Sequence, residues 1–320
     1  MRGGYSWHGS NLRRRAVVEV KAKKKSQKVA QWFEAERKSP VFGAEIHGLD
    51  LKQPADKDTY RRLEDALIEY KVIFVRDQFL DIYQHMEVGR QLGTLEIHPF
   101  TKNHPDHPEV IMLEYDENNP PGGADVWHSD ATFRERPTNY TTLRCEVIPE
   151  LGGDTVFADM QAVYEGLSDH IKLLIDGLEA VHDYPHHRAK FIHTDEGRKH
   201  LAAMEKKFPN PTHPLVRDHP VTGKPALYVN PAFTQRIVGM KQGESRAILD
   251  LLFEQVHAPE CQFRVKWAPG MITFWDNASV QHYASNDFYP HHRRMYRVST
   301  EGGRPFHKRV FECRPIAAEV

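Results

Sequence analysis

The chain has 320 residues, with 43 Lys+Arg against 44 Asp+Glu and a formal net charge of -1, a balance that excludes bulk attraction to nucleic acid or to an anionic membrane surface. With 40% apolar and 10% aromatic residues it can bury a large core, which excludes disorder over most of its length. No apolar run approaches the ~20 residues needed to cross a bilayer, and the three cysteines, Cys145, Cys261 and Cys313, lack CxxC spacing, which argues against a disulfide framework and for a reducing cytoplasmic location.

Residues 1–38 differ from the rest. Arg13, Arg14, Arg15, Lys21, Lys23, Lys24 and Lys25 predict a basic N-terminal extension, a solvated or disordered arm, and no apolar segment of secretory type follows them. Residues 39–320 are expected to form a single domain with a helical insert around 160–214. Within it Tyr70 to Arg76 reads as a buried strand, and Asp81 as an N-cap with Gln84 at N3 and Gly93 closing the helix. Three stretches, Glu109 to Tyr115, Tyr140 to Val147 and Thr155 to Ala158, are rich in β-branched and aromatic residues and predict strands, the last two joined through Gly152-Gly153-Asp154. Ser168 is placed to cap a helix over Asp169 to Ile175. Strands then return at Ala226 to Asn230, Gln262 to Trp267, Met271 to Trp275 and Arg293 to Thr300, with a helix near Glu244 to Val256. Many short strands without a βαβ rhythm predict a mainly β fold with peripheral helices, a sandwich or barrel.

Twenty histidines invite a search for metal ligands. A His-x-Asp pair on a strand presents both side chains to one face, where they can reach one ion. Three pairs occur, little more than chance supplies: His104-Pro105-Asp106, His128-Ser129-Asp130 and His193-Thr194-Asp195. The first lies in a proline-rich polar run and the third in an exposed-looking stretch. His128 and Asp130 follow Trp127 and lie next to predicted strands, so they are the pair most open to being held by a core. Near the C-terminus, His282 follows a buried strand, and Arg293, Met295, Arg297 and Ser299 share a strand face. Arg293 and Arg297 would stand about 13 Å apart at ~3.3 Å per residue, far enough to serve two different anions. No acidic residue alternates with them, and a buried guanidinium needs an anionic partner; a bound ligand would supply it.

These residues resemble the iron(II)/2-oxoglutarate-dependent dioxygenases of the taurine dioxygenase (TauD/TfdA) type. The similarity runs from about Val41 to Phe306 and includes Trp-His-Ser-Asp at 127–130, Gly-Gly-Asp-Thr at 152–155, Trp-Asp-Asn-Ala-Ser-Val-Gln-His at 275–282, and Arg293 and Arg297. Smaller matches are Ile97-His98-Pro99 and Tyr228-Val229-Asn230. The resemblance implies a double-stranded β-helix, the cupin-like jelly roll, as the catalytic domain. It implies His128, Asp130 and His282 as iron(II) ligands in a facial triad, with Arg293 and Thr155 binding the distal carboxylate of 2-oxoglutarate and dioxygen as the second cosubstrate. Arg297 and His98 would hold the anionic head of the substrate, near Thr101 and Ala124, where taurine dioxygenase has tyrosine and asparagine. Phe233 would line that pocket or belong to the core; the sequence does not choose.

The implied reaction is hydroxylation of a small organic anion, a sulfonate such as taurine or a related alkylsulfonate, with release of sulfite, succinate and CO2. An alkyl sulfate ester, a phenoxyalkanoate or another carboxylate would undergo the same chemistry. A zinc hydrolase on a cupin-like barrel, with a metal-bound water as nucleophile, and a binding module acting through the basic arm are the readings from other classes. By resemblance a homo-oligomer, dimer or tetramer, is expected.

Overall fold

Strand β3 (Val72–Val75) shows how the sequence builds two cores at once. In the computed structural model, which describes residues 28–308, Val72 and Phe74 face one core while Ile73 and Val75 face another. A strand covered on both faces reads as a continuous apolar run, and this one does.

The elements in chain order are β1 (Glu34–Arg37), β2 (Ala44–His47), α1 (Lys57–Tyr70), β3, α2 (Ile82–Leu92), β4 (Val110–Tyr115), β5 (Thr138–Val147) and β6 (Thr155–Asp159). There follow α3 (Met160–Gly166), α4 (Asp169–Ile175), β7 (Glu179–His182), α5 (Pro185–Phe191), α6 (Asp195–Lys207), β8 (Thr212–Pro214), β9 (Val216–Asp218), β10 (Pro225–Leu227) and β11 (Thr234–Ile237). The last are α7 (Gln242–Glu254), β12 (Gln262–Val265), β13 (Ile272–Asp276), β14 (Val280–Ala284) and β15 (Arg293–Glu301).

A seven-stranded sheet in the order β1-β2-β3-β13-β5-β15-β4 packs against a three-stranded sheet, β12-β6-β14. Between them lies a core that includes Phe74, Leu143, Phe157, Val265, Trp275 and Met295, drawn from both sheets. Helices α1 and α2 cover the outer face of the large sheet through Leu63, Leu67 and Val88 against Ile73, Ile272 and Phe274. The caps are local: Asp56 accepts from the Thr59 amide, and Asp81 and Gln84 form the expected capping box. A separate core joins α3, α4 and α7 to β9 and β10. The fold is the expected mainly β, jelly-roll type with peripheral helices, and among the described residues the sheets do not close into a barrel.

Several expectations are corrected. The basic extension ends before residue 38: Val29 bridges Ala55, and β1 is the edge strand of the large sheet, paired with β2. Residues 1–27, with the arginine and lysine runs, lie outside the described residues, as does Cys313. The insert around 160–214 is mixed, since β7 and β8 pair within it and with β11. One βαβ unit exists, because β2 and β3 are parallel and α1 connects them. The strand expected over Ala226 to Asn230 stops at Leu227, where the Asn230 carboxamide turns to receive the Phe233 amide.

Candidate active site

His128 and His282 are brought together by their own backbones. Each amide donates to the other residue's carbonyl, at 3.1 and 2.8 Å, as an isolated antiparallel bridge. His282 belongs to β14. His128 does not lie on a strand as expected: after the single bridge the chain turns at Asp130, and Ala131 takes a left-handed conformation, φ 53°. The turn, rather than strand alternation, swings the carboxylate toward the imidazoles. One ligand atom from each of His128, Asp130 and His282 lies within 4.8 Å of the others, and His282 Nε2 is 4.0 Å from Asp130 Oδ1.

The protonation states suit a cation. His128 Nδ1 donates to the Val126 carbonyl at 2.7 Å, which leaves Nε2 as a free lone pair. Burial lowers the pKa of His128, and burial followed by the neighbouring His128 pushes His282 down to about 3, so both rings are neutral at neutral pH. Burial opposes ionisation of Asp130, but Arg297, His282 and His128 outweigh it and hold its carboxyl below the usual range. Thr141 Oγ1 donates to Asp130 Oδ2 at 2.8 Å and Arg297 Nη1 to Oδ1 at 2.8 Å. Asn277 accepts from the Asp130 amide at 3.0 Å and donates to Thr141 Oγ1 at 3.0 Å. Two neutral imidazoles and a carboxylate, all buried, are a donor set that fits a divalent transition metal.

All ten residues named from the sequence line one cavity of about 590 Å³: His98, Thr101, Ala124, His128, Asp130, Thr155, Phe233, His282, Arg293 and Arg297. Arg293 is 4% exposed; it makes no ion pair among the described residues, and its Nε has no hydrogen-bond partner. The ring of Phe288 lies under the guanidinium, 5.5 Å from its carbon. Gly153 sits against it: a Cβ there would stand 3.2 Å from Arg293 Nε, and φ is +74°, so the glycine of the β5–β6 turn both permits the turn and makes room for the guanidinium. Thr155 Oγ1 accepts from the Trp267 indole at 3.0 Å, so its own proton remains to be donated. Arg297 is paired with Asp130, close to the ligand set. His98 Nδ1 accepts from the Phe100 amide at 3.3 Å.

Several contributors are not evident in the sequence. Thr141, Asn277 and Trp267 act by contacts across 11, 147 and 112 residues; only Asn277 carried a signal, as part of the 275–282 motif. Phe100 and Tyr184, rings 4.7 Å apart, add an aromatic wall to the cavity beside Phe233. The other two His-x-Asp pairs are structural. His104 Nδ1 accepts from the Asp106 amide and its ring stacks on His107, while Thr194 between His193 and Asp195 caps α6. Cys145 is buried and Cys261 half-buried, both free thiols.

A profile of the taurine catabolism dioxygenase TauD, TfdA family matches residues 34–299. An alkylsulfatase of Acinetobacter baylyi is 33% identical over 286 residues, 86% of this chain and 87% of that protein. An alpha-ketoglutarate-dependent sulfate ester dioxygenase of Pseudomonas putida is 32% identical, with 82% and 88% covered. The crystal structure of a taurine dioxygenase from Burkholderia xenovorans superimposes with a TM-score of 0.72 at 33% identity, covering 85% of this chain and 92% of that one. Sequence profile, relatives and fold converge over most of the chain, which therefore belongs to the TauD/TfdA family and is an oxidoreductase, a 2-oxoglutarate-dependent dioxygenase.

Proposed function

We propose that the enzyme uses iron(II), 2-oxoglutarate and dioxygen to hydroxylate a small organic anion, a sulfonate or a sulfate ester with an uncharged tail. The observation that carries this reading is the presence, in one cavity, of a three-residue metal set and a buried guanidinium that makes no ion pair among the described residues. His128, Asp130 and His282 would hold the metal. Bound there, iron(II) with 2-oxoglutarate and dioxygen supplies an oxidative decarboxylation that yields succinate, CO2 and a hydroxylated substrate carbon. Arg293 would take the distal carboxylate of 2-oxoglutarate as a charge-assisted pair, and the Thr155 hydroxyl, fixed by Trp267, would donate to the same group. Arg297 and His98 would hold the anionic head of the substrate and so keep its adjacent carbon beside the ligand set. A sulfonate or sulfate ester hydroxylated at that carbon collapses to a carbonyl and releases sulfite or sulfate.

The tail is constrained by charge. The cavity's carboxylates are Asp130, paired with Arg297, and Glu114, held by Arg294 and His292. A tail ammonium such as that of taurine would find no free anion among the described residues, whereas Phe100, Tyr184, Phe233 and Ala124 suit an alkyl or aryl tail. Names of relatives, alkylsulfatase and sulfate ester dioxygenase, support the same class; they disfavour the zinc hydrolase and the binding module. No helix among the described residues is long and apolar enough to cross a membrane. A cytoplasmic homo-oligomer, dimer or tetramer, completes the proposal on the family resemblance.

The test is anaerobic addition of iron(II) and 2-oxoglutarate, which should give a weak visible charge-transfer band that His128→Ala abolishes; no band in the intact protein would sink the reading. Succinate formation coupled to loss of alkyl sulfates, alkylsulfonates, taurine or phenoxyalkanoates then ranks substrates, and taurine ranking first would overturn the charge argument.

A further inference from the structure

Thr132 lies two residues beyond Asp130, immediately after the left-handed Ala131, and is gripped from three sides. His182 of β7 brings Nδ1 to 3.0 Å from Thr132 Oγ1. Asn230 donates from Nδ2 to the same oxygen at 3.2 Å. His213 of β8 faces the carbonyls of Thr132 and Arg134 with Nε2, each at 3.0 Å, so that nitrogen carries the proton. All four side chains are buried. Burial, reinforced by the neighbouring His213, holds the pKa of His182 well below its ordinary value, and burial pushes His213 down to about 4. Both rings are therefore neutral hydrogen-bonding groups, not charges.

The same two side chains that hold the Thr132 hydroxyl continue to the substrate wall. Asn230 Oδ1 accepts from the amide of Phe233 at 2.9 Å. His182 Nε2 faces Thr234 Oγ1 at 3.4 Å, and that hydroxyl accepts from the Asn230 amide at 3.0 Å. An apolar residue could fill the volume of Thr132, but it would leave Asn230 Nδ2 and His182 Nδ1 unsatisfied in a buried site, and a partly satisfied buried network loses its unique arrangement.

We propose that Thr132 is a positioning residue whose single hydroxyl, through Asn230 and His182, sets the register of the metal-binding turn against the Phe233 wall, so that the metal and the substrate carbon are held in one frame. The proposal rests on the reading of the cavity given above.

Thr132→Val keeps the shape and removes the hydroxyl; Thr132→Ser keeps the hydroxyl. Affinity for added cobalt(II), read from its visible absorption without 2-oxoglutarate, should fall about tenfold in T132V, the usual scale for loss of a partner behind a metal ligand. The ratio of substrate oxidised to succinate formed, with hexyl sulfate or the best substrate of the screen, should fall as well, and T132S should stay within twofold of the parent on both measures. Asn230→Ala cuts the arm to Phe233 but leaves His182 on the Thr132 hydroxyl, so it should lower the ratio while costing less cobalt affinity than T132V, and it carries the test if T132V does not fold. Parent-like behaviour of T132V, equal losses in T132S and T132V, or an unchanged ratio in N230A would each overturn the proposal. Failure of the parent protein itself to bind cobalt(II) would instead overturn the reading of the cavity as a metal site.

Discussion

Replacing Arg293 by methionine separates ligand binding from folding, because the two effects have opposite sign. In the ligand-free protein the guanidinium is 4% exposed, makes no ion pair among the described residues and has an unpartnered Nε; burial lowers its pKa from the ordinary value and outweighs the opposing influence of Tyr115, Cys145 and Asp154, the mark of a charge whose desolvation is only partly offset. Even paired buried ions can be replaced by apolar residues with a gain of ~1–4 kcal/mol, so R293M should stabilise the empty protein by about 1–3 kcal/mol. At roughly 2 °C per kcal/mol for a chain of this size, its Tm should rise by about 2–6 °C. The same change removes the partner of the distal carboxylate, and truncating one side of a buried charge pair costs about 2–5 kcal/mol, a loss of roughly 30- to several-thousand-fold in 2-oxoglutarate affinity. Calorimetry with manganese(II), with and without 2-oxoglutarate, reads both. The parent should gain about 2.7 kcal/mol at a ligand concentration of 100 Kd, whereas R293M should start higher and gain no more than about 0.9 kcal/mol at the same concentration. A lower Tm without ligand, together with a parent-like rise on adding it, would refute the assignment of Arg293.

Other substitutions follow from the same geometry. Asp130→Ala should cost about 3–5 kcal/mol even without metal, because it strands the Arg297 guanidinium; the double variant with Arg297→Met should recover much of this in urea unfolding, and a fully stable single variant would contradict the pairing. Acid stability should be set by buried neutral histidines. His85 is pushed down to about 3, His213 to about 4 and His282 to about 3, each chiefly by burial. Each takes up a proton in the unfolded chain near pH 6.5 but not in the folded one, so stability is complete above that pH and falls below it by about 1.4 kcal/mol per pH unit per histidine. His85→Leu should reduce the slope of the urea midpoint against pH between 6 and 4 by one such increment, and an unchanged slope would exclude His85 as a contributor. Phe233→Ala should raise KM for an alkyl sulfate by about 10- to 100-fold, the scale of apolar pocket contacts, with the iron(II)–2-oxoglutarate absorption unaltered; loss of that absorption would assign Phe233 to the core instead.

What could be read from the sequence were features carried by local periodicity or by short motifs. Asp81 and Gln84 announce α2, the apolar run at 72–75 announces β3, and Arg293, Met295 and Arg297 announce an inward strand face. The failures have physical causes. His128-Ser129-Asp130 suggested a strand because strand alternation was the simplest way to point two side chains one way, but the structure does it with one bridge and a turn through Ala131. Helix α1 lies outside the predicted elements, although Leu63, Ala66 and Leu67 lie on its buried face, because charged residues interrupt its apolar stripe. Thr141, Trp267 and the Thr132 group could not be found by any window, since their roles depend on partners more than ten residues away and on being buried together.

The reciprocal backbone bridge between His128 and His282 has a consequence for metal traffic. The two imidazoles are registered by peptide hydrogen bonds, not by a shared ion, so their spacing should persist whether or not anything is bound. Chelation should therefore leave the far-ultraviolet circular dichroism unchanged and lower Tm only by the lost binding energy. Exchange of one divalent ion for another should proceed at the rate of ligand dissociation, without waiting for the domain to open.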